Sequence, residues 1–274
     1  MLGRIWLCGQ LVGTYCFCEL LGRFITLLAA FTLIVPEIEA CRYSVRDVGF
    51  ADLGNERYTF RCFVDAPAQD QSSNRFSQAA RALLDDSNVK FELVKRNQES
   101  EVGVLISPDG KRKHNIALPI SKTKTDQLEW SVIQSVIGSP VRDELIKKLI
   151  SNFAVVLLVE GSDQIQNKRA QLAAVEAIEA ITKLMPKMPK PVDNPPVLLQ
   201  LSIEQSLAES VLLWSLGMDT KTTPEPQALV LMGRGRRVGE MLRGGLITRT
   251  ALQEALAVIG QDCECGLDRV WMQG

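Results

Sequence analysis

The chain has 274 residues, enough for two domains with cores of their own, since single domains usually run to about 100–150 residues. Its 31 lysines and arginines are balanced by 32 aspartates and glutamates, so no global field recruits nucleic acid, and a hydrophobic content of 46% excludes a disordered chain. With a single histidine, Ser-His-Asp and Cys-His catalysis have little to build on.

At the N-terminus, FITLLAAFTLIV (24–35) is uncharged and apolar, follows Arg23 and precedes PEIEAC. A run of about a dozen residues is short for a membrane span and fits a signal-peptide core, with Ile38 and Ala40 where a signal peptidase reads before Cys41. Residues 1–40 are therefore expected to be an export signal. Because the preceding MLGRIWLCGQLVGTYCFCELLG is also apolar, a membrane anchor built from both runs and a start further downstream are the alternatives. A buried N-terminal helix is the structural alternative, and acylation of Cys41 is disfavoured by the charge of Glu39. Cleavage near Ala40 leaves Cys41, Cys62, Cys263 and Cys265, among which the spacing chooses no pairing.

Tyr58 to Val64 alternates, Tyr58, Phe60, Cys62 and Val64 pointing one way and Thr59, Arg61 and Phe63 the other, which predicts a strand. NRFSQAARALLDDSN places Phe76, Ala79, Ala80, Leu83 and Leu84 at helical spacing. VKFELV reads as a second strand, EVGVLISPDGKRKHNIALPI as a hairpin turning at Pro108-Asp109-Gly110 with His114 near its exposed tip, and DQLEWSVIQSVIGSPVRDELIKKLIS as helical segments broken near Gly138 and Pro140. After a linker near Ser151 and Asn152 the same order recurs. FAVVLLVEG reads as a strand buried on both faces, and NKRAQLAAVEAIEAITKLM as a helix with Leu172, Val175, Ile178 and Ile181 inward. PVLLQLSI, AESVLLWSL, the hairpin QALVLMG to RVGEMLRGG, and a closing helix capped near Thr248 complete the second copy. The expectation is an α/β protein of two tandem domains, each a mixed sheet flanked by helices, over residues 41–151 and 152–274.

PQALVLMGRGRRVGEMLRGGLITRTALQEALAVI resembles the terminal half of a thioredoxin fold, and the resemblance makes Pro226 the counterpart of that family's cis-proline. The first copy resembles the fold more loosely. The chain is also similar to exported bacterial proteins with a VRDVGF opening, a GRGR turn and a late Cys-x-Cys, a family that carries no activity to transfer. Thioredoxin chemistry needs Cys-x-x-Cys at the start of the helix after the first strand, where the helix terminus lowers the thiol pKa. Those places read DAPAQDQSS and EGSDQIQNK, without cysteine, so the copies are degenerate and no catalytic residue is assigned.

Two stretches remain as candidates. GRGRRVGEML lacks the Lys-Ser or Lys-Thr of a Walker loop, and the residues after its glycines read as a returning strand. It is expected to be a hairpin whose Arg234, Arg236, Arg237 and Arg243 grip carboxylate or phosphate on a partner, with a solvated turn as the alternative. Cys263 and Cys265 form a Cys-x-Cys pair suited to a small strained disulfide or to a soft metal, though no complete metal site and no cofactor are expected. The reading is thus a non-enzymatic binding or assembly component of the bacterial envelope, periplasmic or attached to the membrane through its N-terminus, whose partner is another envelope or membrane protein. The alternative is a thiol-disulfide or metal-handling accessory protein acting through Cys263 and Cys265.

Overall fold

The computed structural model describes residues 44–50, 57–64, 71–95, 103–116, 133–188 and 192–261, which form a mixed α/β structure with two four-stranded mixed sheets. It starts with a one-turn helix α1 (Val45–Val48), closed by a capping box: the Ser44 hydroxyl accepts from the Asp47 amide, and the Asp47 carboxylate accepts from the Ser44 amide at 2.8 Å.

The first sheet contains β1 (Tyr58–Val64), β2 (Val89–Lys95), β3 (Gly103–Ile106) and β4 (Lys113–Ile116), with α2 (Gln71–Leu84) between its first two strands. The alternation of β1 holds. Phe60 and Cys62 are buried, while Arg61 on the opposite side reaches Glu92 of β2 at 2.8 Å. β1 runs parallel to β2, from Tyr58 beside Val89 to Val64 beside Lys95, and antiparallel to β3; β3 and β4 form the hairpin, giving the order β2-β1-β3-β4.

The second sheet contains β5 (Val155–Val159), β6 (Val197–Leu201), β7 (Gln227–Met232) and β8 (Arg236–Arg243), ordered β6-β5-β7-β8. Its strand directions repeat those of the first: β5 is parallel to β6 and antiparallel to β7, and β7 is antiparallel to β8. Every residue of β5 is at most 4% exposed, because alternate side chains enter different cores. Val156 and Leu158 face α4 (Gln164–Leu184) and α7 (Arg249–Ile259), whereas Val155, Leu157 and Val159 face α3 (Pro140–Ser151). Each side chain so buried contributes about 1.5–3 kcal/mol. Ser139 caps α3 and Thr248 caps α7, their hydroxyls accepting from Arg142 N at 3.1 Å and Ala251 N at 3.2 Å.

Of the four residues expected inward on α4, Ile181 is buried and Ile178 packs partly buried on the core, but Leu172 and Val175 do not. Leu172 is 60% and Val175 39% exposed, and the buried residues include Ala170, Ala173, Ala174, Ala177 and Ile181. Small side chains let α4 lie close to the sheet and to α7; leucine or valine on that face would hold it away.

The helices interleave the two halves. α3 precedes β5 and comes after the first sheet in the chain, yet Val141, Leu145 and Leu149 pack in the core of the second sheet. After β6 come α5 (Ile203–Ala208) and α6 (Ser210–Ser215). α6 is shared: Val211 and Trp214 enter the core of the first sheet, while Leu212 and Leu213 enter that of the second. Val45 of α1 joins the core around α4 and α7, and its amide donates to the Gln261 carbonyl at 3.1 Å.

A candidate anion-binding cleft between the sheets

The GRGRR stretch is a hairpin tip. Residues 233–235 connect β7 to β8, with Gly233 at φ 57° and Gly235 at φ 85°, and the Gly235 amide donates to the Met232 carbonyl at 3.1 Å. Gly233 is required by more than its angle. A Cβ there would stand 2.2 Å from the Gly49 carbonyl oxygen, which accepts from the Arg234 amide at 3.0 Å. A β-bulge at Gly239, φ 75°, then shifts the register of β8 against β7.

The turn brings Arg234, Arg236 and Arg237 to one cleft but leaves Arg243 out. Arg243 sits at the far end of β8, where its guanidinium pairs with Asp219. Pro226 does open β7, and its carbonyl accepts from Gly244 N at 2.9 Å; no cis peptide bond occurs among the described residues, so the bond preceding Pro226 is trans, unlike the cis-proline its resemblance implied. The extended backbone here lies along the loop after β5. Ser162 N and Asp163 N donate to the carbonyls of Thr223 and Pro224 at 2.9 and 3.0 Å, and a side chain on Gly161 would collide with Pro224.

The cleft has a volume of about 1080 Å³ and opens between the two sheets. Besides the three hairpin arginines it is lined by Arg112 and Arg142, and among the described residues Asp109 is the sole acidic side chain on its wall. Trp214 of α6 organises one end. Its carbonyl accepts from Arg112 Nη1 at 2.9 Å, its ring lies 5.4 Å from that guanidinium, and Tyr58 and His114 pack on it at centroid distances of 5.8 and 5.7 Å. His114 is therefore a half-buried residue of β4 stacked on an indole, not part of an exposed tip, and burial lowers its pKa. Burial raises that of the Tyr58 hydroxyl against the opposing pull of Arg112. Arg142 is pushed down by desolvation, with Glu209 and Asp143 holding its charge. The buried Glu209 carboxylate accepts from Ser139 Oγ, and Arg142 Nη1 donates to the Val136 carbonyl at 2.8 Å. Leu145, Ile146 and Leu149 of α3 give the cleft an apolar side.

Of the two places where the resemblance would put Cys-x-x-Cys, residues 65–70 of the first lie outside the described residues, and the second carries other groups. At the start of α4 the Asp163 carboxylate accepts from Ile165 N at 2.9 Å and Gln166 N at 3.2 Å, and the buried Asn167 amide ties down both the N–H and C=O of Gly161. Cys62 is a free, buried thiol whose pKa desolvation raises to about 12, which suppresses the thiolate needed for exchange. Cys263 and Cys265 lie outside the described residues, as does Cys41. Among the described residues no cluster of His, Cys, Asp or Glu has the numbers to hold a metal.

Fold and cleft together define a mixed α/β protein with an arginine-rich cleft between two sheets of the same strand order. Beyond that, no model of a known protein family matches the chain, and no curated protein is significantly similar to it.

Proposed function

We propose that the chain is a non-enzymatic binding or assembly component of the bacterial envelope, exported or membrane-anchored, built on two degenerate thioredoxin-like domains and gripping an acidic segment of another envelope or membrane protein. The observation that carries this reading is the cleft: among the described residues, five arginines and one acidic side chain on its wall, beside an apolar flank. Guanidinium forks bind carboxylates with paired, charge-assisted hydrogen bonds, and partial burial keeps those bonds from being screened as fully as on an open surface. The repeated strand order and directions support the thioredoxin-like assignment, and Asp163 rather than cysteine at the start of α4 supports a binding role over a redox one. No helix among the described residues is long and apolar enough to cross a membrane.

Site-directed photo-crosslinking in the native bacterium tests the proposal. A photoreactive residue at Ile146, on the cleft, is expected to give a discrete adduct with an envelope protein, whereas the same residue at Leu172, on the outer face of α4, gives none. Replacing Arg236 and Arg237 together by glutamine should reduce the adduct several-fold, and added salt should mimic the change. Adducts of equal strength from both positions, or an Ile146 adduct indifferent to both arginines and to salt, would overturn it.

A further inference from the structure

Within the cleft two guanidinium groups from different sheets converge on a glycine. Arg237 Nη1, from β8, and Arg112 Nη1, from the hairpin of the first sheet, lie 3.2 and 3.6 Å from the point where a side chain on Gly217 would begin. Gly217 has φ 77° and its amide donates to Trp214 O at 3.0 Å, the carbonyl that also receives Arg112. The one acid on the described wall, Asp109, accepts from Ser107 Oγ and, at 3.0 Å, from Lys111 N, and it lies near enough to Arg112 for that guanidinium to favour its charged form. Two like charges are thus held near each other over the Gly217 backbone, where the missing side chain spares both guanidiniums a close contact.

We infer that the cleft beside Gly217 binds the phosphate of a monoester, the Arg112 and Arg237 guanidiniums clamping it from the two sheets, and that α3 takes up the organic part of the ester. A carboxylate has two oxygens and is commonly satisfied by one guanidinium fork; a phosphate has three acceptor oxygens and a charge near −2, which suits donors arriving from opposite sides. Ile146, exposed beside the buried Leu145 and Leu149, supplies the apolar contact that inorganic phosphate cannot use. The inference rests on the seam being a binding surface and names a ligand chemistry for it.

Titration calorimetry on the full chain at constant ionic strength tests it, with inorganic phosphate and hexyl phosphate as probes. Both should bind, hexyl phosphate about tenfold more tightly because of its alkyl chain. Arg112→Gln and Arg237→Gln should each weaken binding tenfold or more, while Lys111→Gln on the exposed turn leaves it unchanged. Arg237→Lys, which keeps the charge and loses the fork, should fall between, and it serves as the reading should a glutamine variant fail to fold. Co-sedimentation with phosphatidic acid vesicles, competed by hexyl phosphate, identifies a lipid headgroup as the source; hexyl phosphate binding without co-sedimentation identifies a soluble ester. Binding of neither probe, or equal binding by wild type and the arginine variants, overturns the inference. Loss of the phosphate result with the Ile146 crosslink intact would overturn this inference alone.

Discussion

The two glycines of the hairpin tip look alike in the sequence and differ in the fold. Both have positive φ, but a methyl group on Gly233 would meet the Gly49 carbonyl oxygen at 2.2 Å, whereas on Gly235 its nearest contact is Leu149 Cδ1 at 4.0 Å. Gly235→Ala should therefore cost only the left-handed backbone penalty, about 1–2 kcal/mol. Gly233→Ala should cost that and the docking of residues 44–50, more than about 3 kcal/mol in all. Urea denaturation of both variants decides the point; equal costs would mean that Gly49 gives way freely. The requirement for glycine at this turn was legible, since Gly-Arg-Gly between two apolar runs signals a hairpin. Its contact with Gly49 was not. Nor was the clamp around Gly217, because Arg112 and Trp214 are 102 residues apart and no local period joins them.

At the scale of elements, legibility ended where short-range pattern ended. The alternation of β1, the Pro-Asp-Gly turn, the break at Gly138 and the cap at Thr248 all reflect geometry set within a few residues. On α4 the expectation holds for Ile178 and Ile181 and fails for Leu172 and Val175, because hydrophobicity alone ranks leucine above alanine, while close helix packing selects alanine. Leu172→Asp should accordingly change stability by less than about 0.5 kcal/mol, and Ala174→Leu should destabilise by about 1–3 kcal/mol through overpacking. Thermal melts of the two variants provide the check, and the opposite ranking would mean that α4 is rotated from its described position. α5 escaped notice because six residues ending shortly before α6 offer too short a period to separate from it.

For the molecule as a whole, repetition of strand order coexists with exchange of helices. α3 fills the core of the second sheet from the chain before it, and α6 returns Val211 and Trp214 to the core of the first. A fragment of residues 41–151 would keep the first sheet without those two side chains and expose Val141, Leu145 and Leu149. It is expected to show no cooperative thermal transition by circular dichroism, while the full chain melts in one step; a fragment melting cooperatively near the full-chain temperature would establish independent halves. The bond between Val45 N and Gln261 O carries this interdependence into time. On the ribosome Val45 is made early, and its partner roughly 200 residues later, a wait of about 10–40 s at ordinary synthesis rates. Arg46 can reach the Asn152 carbonyl far sooner, so α1 is held first at its side chain and its Val45 amide is satisfied only when the chain is nearly finished.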